Sequence, residues 1–281
     1  MCTTCGCTDT MHPTMTNMAT GQTMPLAAQE TPAHSHTHTH EHLHRDHIHA
    51  NQKDPPHEKK TVVLEQAILS KNNRLAEQNR GWLAESHILA LNLVSSPGSG
   101  KTTLLEKTLN DLRKEFPFYV IEGDQATLHD AERLRRTGCA VVQINTGGGC
   151  HLEAEMVAQG LEALQPSAQS VVLIENVGNL ICPALFDLGE QARVVILSVT
   201  EGEDKPLKYP HMFKSAQLVL INKIDLLPYL SFDMDQCLRY VSMVNATAPV
   251  LRISAQTGEG LASWYQWVQQ HRLTVQAHKG L

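Results

Sequence analysis

A three-layer, doubly wound α/β domain around a mostly parallel sheet is the fold class this sequence predicts, on three observations. Seven short runs between residues 88 and 254 are continuously apolar, not alternating, as strands buried on both faces must be. Helix-like segments separate most of these runs, as right-handed crossovers between parallel strands require. The glycines and polar residues cluster just after the runs, at the carboxyl ends of strands, where sheets of this kind bind ligands.

The elements follow in order. "TVVLEQAILSKNNRLAEQNRGWL" sets Val62, Ala67, Leu69 and Leu75 at roughly helical spacing, and Gly81 reads as the stop of that helix. The runs are "ILALNLVS", "FYVIEG", "CAVVQIN", "SVVLIEN", "ARVVILSV", "AQLVLINK" and "PVLRIS". Helices are expected over Thr102–Glu115, Thr127–Thr137, Leu152–Leu164 and Gly260–Arg272. Residues 1–60 differ in kind. They are rich in Thr, Met, Pro and His and poor in aromatic and β-branched aliphatic residues, so they read as a flexible N-terminal region, with the folded domain spanning 61–281.

Composition narrows the function. A net charge of −6, from 23 basic and 29 acidic residues, with no Lys/Arg run, argues against a general nucleic-acid binder. No stretch reaches the roughly 18 consecutive apolar residues of a membrane span. The chain also opens without the basic and apolar blocks of a signal peptide, so a cytoplasmic protein with reduced thiols is expected.

The first strand runs into "SSPGSGKTT", in which Gly100, Lys101 and Thr102 match GxxxxGK(S/T), with Ser95 in place of the usual first glycine. Backbone N–H groups turned inward around phosphates, followed at once by a helix N-terminus, are what this spacing supplies. Gly98 and Gly100 give the loop its freedom, with Ser99 and Thr103 beside them; Lys101 reaches the β/γ-phosphates and the Thr102 hydroxyl ligates Mg²⁺. In "INKID", Asn222, Lys223 and Asp225 form N-K-x-D, and a carboxylate there accepts two hydrogen bonds from guanine that adenine cannot offer. "ISAQTG" after the last strand adds Ser254 and Ala255 for the guanine carbonyl. At two further strand ends, Asp124 and Glu175 face magnesium or the attacking water, and Gly178 lets backbone approach a γ-phosphate. Lys101, Asp124 and Glu175 are therefore the expected catalytic residues of a slow GTPase that works by positioning and electrostatics.

A second set of residues suits metals. "NTGGGCHLE" and "NLICP" bring Cys150, His151 and Cys182 to neighbouring strand ends, a donor set that suits zinc or nickel. Cys139 and Cys237 read as buried small apolar residues. His34, His36, His38, His40, His42, His44, His47 and His49 form an alternating tract that can hold several nickel ions weakly. The opening "MCTTCGC" groups Cys2, Cys5 and Cys7, open to reading as half a disulfide framework, an incomplete structural zinc site, or a site that holds a metal in order to pass it on. Seven cysteines, an odd number, weigh against the first.

Together these stretches resemble the HypB family, GTPases that help insert nickel during [NiFe]-hydrogenase maturation. The likeness runs from CxxCGC through the His tract to "SSPGSGKTT", "EGD", "GGGCHL", "ENVGNLICP", "EGEDKPLKYP" and "NKIDLLP". It implies a SIMIBI-type P-loop G domain preceded by a disordered metal-binding tail, with GTP/GDP, Mg²⁺, Ni²⁺ and Zn²⁺ as ligands. It also implies a tight nickel site at Cys2, Cys5 and Cys7, and a second nickel or zinc site at Cys150, His151 and Cys182 near a dimer interface. A homodimer promoted by nucleotide or metal follows, with Lys205 and Lys208 in a segment reaching across it. The implied partners are the hydrogenase large-subunit precursor and other maturation proteins.

Overall fold

The computed structural model describes residues 13–26, 57–125 and 127–277. All seven apolar runs become strands: β3 (Leu89–Ser95), β4 (Phe118–Asp124), β5 (Ala140–Asn145), β6 (Val171–Glu175), β7 (Ala192–Ser198), β8 (Leu218–Asn222) and β9 (Val250–Arg252). Two more precede them, β1 (Thr14–Asn17) and β2 (Thr23–Pro25). The sheet order is β2-β1-β5-β4-β6-β3-β7-β8-β9, with β3 to β9 parallel and only β1 and β2 antiparallel to their neighbours. Because β6 inserts between β3 and β4, Glu175 lies in register with both Leu93 and Glu122. Two carboxylates thus end up side by side on adjacent strands.

The helices are α1 (His57–Glu85), α2 (Lys101–Leu112), α3 (His129–Arg136), α4 (Ala154–Leu164), α5 (Lys205–Lys208), α6 (Pro210–Lys214), α7 (Met234–Val244) and α8 (Leu261–Ala277). One apolar layer, with Leu104, Leu105, Leu109, Leu134 and Trp264, covers one side of the sheet, and Trp264 Nε1 donates to Thr108 Oγ1 at 2.9 Å. Leu83, Val157 and Leu161 belong to a second layer, against Ile121, Val142 and Ile174. No described helix is long and apolar enough to cross a membrane.

Three expectations change. Residues 13–26, assigned by composition to the flexible region, form a hairpin on the edge of the sheet, with Met15 and Leu26 buried in the second layer. Its strands are too short to persist alone, and they gain their order from pairing with β5. Helix α1 runs past Gly81 to Glu85 because Leu83 is buried beyond it, and an internal glycine costs only about 1 kcal/mol. Among the residues whose burial is described, its buried positions are Asn72, Ala76, Asn79 and Leu83, not Ala67, which is exposed. Both asparagines are hydrogen-bonded to backbone: Asn79 Nδ2 donates to Ala154 O at 2.8 Å and Leu188 O at 3.0 Å, and Asn72 Oδ1 accepts from Ala154 N at 2.9 Å. Helical periodicity therefore holds, but two of its inward positions are polar and escape an apolar count. Helix α7, begun by Asp233 accepting from Gln236 N at 2.8 Å, is an element the sequence reading does not place.

Candidate functional site

The loop after β3 turns through Gly98 (φ 71°) and Gly100 (φ 98°) before α2 begins at Lys101. A Cβ at Gly100 would stand 2.6 Å from Asn222 Nδ2, so this position excludes side chains on two grounds. Ser95, the departure from the general pattern, accepts from Lys101 Nζ at 2.8 Å and from Ser99 Oγ at 2.6 Å. It thereby holds the lysine over the loop. Burial pulls the Lys101 ammonium below its ordinary pKa, while Glu175 leads the nearby carboxylates in opposing that shift.

Thr102 Oγ1 donates to Glu175 Oε1 at 2.7 Å, and the other Glu175 oxygen is buried without a hydrogen-bond partner. Burial raises the Glu175 carboxyl to about 7. A hydroxyl and a carboxylate with an unmatched oxygen, facing a cavity of about 480 Å³, fit a hydrated divalent cation. Asp124 lines the same cavity, and its Oδ2 accepts from Thr127 N and Thr127 Oγ1, both at 2.9 Å. Gly178 packs on the phosphate loop so closely that a Cβ there would lie 3.0 Å from Pro97 Cα.

A second hollow of about 260 Å³ adjoins the first beside Asn222, Lys223, Asp225 and Ala255. Asn222 spans two loops, donating to Ser99 O at 2.9 Å and accepting from Ala255 N at 3.0 Å. Lys223, with φ 64°, donates to Gly98 O at 2.6 Å. Asp225 Oδ1 accepts from Ser254 Oγ at 2.5 Å, which aims the carboxylate into the hollow. The expected phosphate and base residues are thus brought together on one edge of the sheet.

Glu122, Gln125 and Arg133 line the phosphate cavity too, and sequence reasoning missed all three. Glu122 is 2% exposed, has one oxygen without a partner, and is raised to about 9 by burial, with Glu175 as the next cause. A charged residue inside an otherwise apolar strand was the available signal. Arg133 donates to Glu106 Oε2 at 2.7 Å and Thr103 Oγ1 at 3.2 Å. Gln125 Nε2 donates to Gly149 O at 3.1 Å, linking this cavity to the loop that carries Cys150.

That loop brings the metal-suited residues together. The ligand atoms of Cys150, His151 and Cys182 all lie within 4.8 Å of one another, with the two Sγ atoms 2.8 Å apart. Both thiols are nearly buried, at 9% and 8% exposure. Burial lowers the His151 imidazole to about 4, which leaves it neutral and able to ligate at neutral pH. Its Nε2 is buried without a hydrogen bond and lies 3.8 Å from Glu153 Oε1, and its ring packs 3.9 Å from that of Phe186. Asn179, one residue past Gly178, donates from Nδ2 to Cys150 O at 3.3 Å. One segment therefore touches the phosphate loop through Gly178, the Cys150 carbonyl through Asn179 and the Cys150 thiol through Cys182.

Lys205 and Lys208 sit on α5, where Lys208 Nζ meets Asp204 Oδ2 at 2.7 Å and Lys205 Nζ lies 3.9 Å from Glu201 Oε2. Cys139 is half-buried and Cys237 buried, as small apolar residues would be. Cys2, Cys5, Cys7 and the tract from His34 to His49 lie outside the described residues.

Residues 89–252 match the model of the CobW/HypB/UreG nucleotide-binding domain. The hydrogenase maturation factor HypB of Escherichia coli K12 is 54% identical over 215 residues, covering 76% of this chain and 74% of that protein. HypB of Azotobacter chroococcum is 56% identical over 211 residues, covering 75% and 69%. Among solved structures, HypB from Helicobacter pylori in complex with nickel superposes with a TM-score of 0.68 at 38% identity, covering 73% of this chain and 96% of that one.

Proposed function

The chain belongs to the CobW/HypB/UreG family, among its HypB hydrogenase maturation factors, and from that premise we propose that it is a nickel metallochaperone GTPase. In this reading, GTP hydrolysis gates the insertion of nickel into a [NiFe]-hydrogenase precursor. Asp225 selects guanine, Asn222 and Ala255 hold the base hollow against the phosphate loop, and Lys101 meets the β/γ-phosphates. Thr102, Glu175 and Asp124 would hold magnesium, which supplies charge neutralisation across the phosphate oxygens. Cys150, His151 and Cys182 take Ni²⁺ as cargo, a donor set that also accepts Zn²⁺. The arm with Cys2, Cys5 and Cys7 holds nickel more tightly, and the histidine tract stores it. The protein acts in the cytoplasm as a homodimer, favoured by nucleotide or metal, beside other maturation proteins.

The observation that carries the gating is the continuous segment from Glu175 to Cys182. Glu175 meets Thr102 at the magnesium side, Gly178 lies on Pro97, Asn179 holds the Cys150 carbonyl, and Cys182 Sγ lies 2.8 Å from Cys150 Sγ. A γ-phosphate that draws in the middle of this segment changes the position of its last ligand. Nickel-edge X-ray absorption on the Cys2→Ser, Cys5→Ser, Cys7→Ser protein, with GDP and with a non-hydrolysable GTP analogue, tests it. A change in sulfur coordination between the two nucleotides is expected. Identical spectra, in protein that binds both nucleotides, would overturn the gate.

A further inference from the structure

Helix α3 carries three arginines in "ERLRR", and their surroundings differ. Ala131 and Leu134 are buried three residues apart, which fixes the roll of the helix against the sheet. Arg135 and Arg136 are exposed. Asp130 and Arg133, each one residue before that buried pair, share the neighbouring face and line the phosphate cavity. Arg133 Nη2 donates to Glu106 Oε2 at 2.7 Å and to Thr103 Oγ1 at 3.2 Å, and Nη1 donates to Asp130 Oδ1 at 3.3 Å. Thr103 follows Thr102 in the first turn of α2, the helix end that faces a bound phosphate. The guanidinium therefore stands at the edge of the cavity, in contact with the element that would hold the phosphates.

The charges around the cavity give it a task. Among the described residues, Glu122, Asp124, Asp130 and Glu175 line the cavity as acids, against Lys101, Lys223 and Arg133 as cations. Lys101 is held by Ser95 in the phosphate loop, and Lys223 is turned to Gly98 O beside the base hollow. A triphosphate adds negative charge to a cavity already rich in acids, and phosphoryl transfer spreads that charge over the reacting oxygens. Arg133 is the cation whose present partners are open to water, the Glu106 and Asp130 side chains being 34% and 49% exposed. Ion pairs this open are weak, whereas a guanidinium forked onto phosphate oxygens inside a cavity is held strongly. Exchange of the acids for a phosphate is therefore favourable, and the contacts between α3 and α2 serve as a resting position.

We propose that Arg133 is a catalytic arginine supplied in cis, which leaves Glu106 and Asp130 for the phosphate oxygens when GTP binds and stabilises the charge of the transition state. The inference rests on the reading of the chain as a GTPase. In that reaction a water oxygen bonds to the γ-phosphorus as the bond to the β–γ bridging oxygen breaks, and the electron pair of the broken bond stays with GDP. The water gives one proton to solvent. Arg133 gives up none; it donates hydrogen bonds to oxygens on which charge builds.

Three variants of the full chain, assayed with Mg²⁺ present, separate a catalytic arginine from a staple between helices. Arg133→Ala should lower kcat about 100-fold or more while GDP affinity stays within threefold, and added guanidinium chloride should restore part of the loss. Arg133→Lys, which keeps the charge without the fork, should lower kcat about tenfold. Glu106→Gln weakens the resting contact, so kcat should hold at the wild-type value or rise by about threefold. A staple gives the reverse pattern, with Glu106→Gln falling as far as Arg133→Ala. That pattern, or an Arg133→Ala kcat within threefold of wild type, overturns the proposal. If wild type hydrolyses no GTP, the GTPase reading fails by itself, and fluorine NMR of the complex with GDP and aluminium fluoride, a mimic of the transferring phosphoryl group, decides the arginine. Fluoride bound in wild type and lost in Arg133→Ala supports it, and fluoride bound in both or in neither overturns it.

Discussion

In the phosphate and base sites the polar side chains are partnered across separate loops, whereas around Cys150 the two thiols and the imidazole also meet one another, Cys150 Sγ lying 2.8 Å from Cys182 Sγ and 3.7 Å from His151 Nδ1. Lys101 rests on Ser95, Thr102 on Glu175, Asn222 on Ser99 and Ala255, and Asp225 on Ser254. A nucleotide meets a surface whose geometry is set beforehand, so little reorganisation is needed on binding. At the other cluster His151 Nε2 has no hydrogen bond and its ring is fixed against Phe186. A metal ion that replaces the contacts of the thiols and imidazole with one another needs only a local rearrangement of the three side chains. Both clusters stand on the same sheet edge, so the contrast comes from what surrounds the loops.

The largest expected effect falls on the preset side. Lys101→Ala removes the only described ammonium inside the phosphate loop and leaves Ser95 with Ser99 alone as its donor. GDP affinity should fall at least about 100-fold, roughly 3 kcal/mol, in a fluorescent-nucleotide titration, while nickel binding at Cys150, His151 and Cys182 stays within twofold. A parallel collapse of nickel binding would show that the clusters are one unit. Asp225→Asn should come next. It exchanges an acceptor pair for a mixed amide, weakening GDP by about 100-fold and favouring xanthosine diphosphate, whose 2-oxo group accepts where guanine donates. Unchanged preference would mean that the hollow near Ala255 does not hold the base.

At the other cluster, Cys182→Ser should weaken nickel at least about tenfold and leave GDP affinity within twofold, because an alcohol is a poor ligand for this borderline ion. Competition with a chromophoric chelator measures the first and fluorescence the second. An equal loss in both would contradict the separation of the two clusters.

How far each cluster can be read from sequence follows the same division. Residues 95–103 and 222–225 are contiguous and bound by local demands: two left-handed glycines, a helix start, a side chain between loops. Those demands admit few residue types, so the types announce the structure. Glu122 and the hairpin make no such local demand. Glu122 sits in "FYVIEG" as the one charged letter, and its meaning comes from Glu175 arriving on β6 from about fifty residues away. The hairpin's "TMTN" and "TMP" are weak strands whose order comes from β5, over a hundred residues downstream. Helix α1 is intermediate, since its period is visible but its asparagines face the carbonyls of Asp187, Leu188 and Ala154.

The smallest predicted effect concerns an exception to the contrast, Glu122, which like Glu175 keeps one unmatched oxygen on the otherwise preset side. Burial first, and then Glu175 and Asp124, raise its pKa to about 9, and burial raises Glu175 to about 7, both from 4.5. The folded protein then holds more protons than the unfolded chain between about pH 4.5 and 9. Stability from these two groups is full below pH 4.5 and is lost as pH rises through 7 and then 9. His151 has the opposite sign: lowered from 6.5 to about 4, it contributes stability above pH 6.5 that is lost as pH falls through 4. Between pH 6.5 and 9, therefore, the two carboxylates act and the His151 imidazole does not. Glu122→Gln should raise stability at pH 8 by about 1–2 kcal/mol in urea unfolding of nucleotide-free protein and flatten the fall between pH 6.5 and 9. It should leave the slope below about pH 4 nearly unchanged. The same substitution should raise the magnesium needed for half-maximal nucleotide retention, because the unmatched oxygen faces the cavity where Thr102 and Glu175 would hold the ion. Stabilisation without a shift in magnesium dependence would make Glu122 a burden of the fold alone, and a shift in both would place it with the preset groups after all.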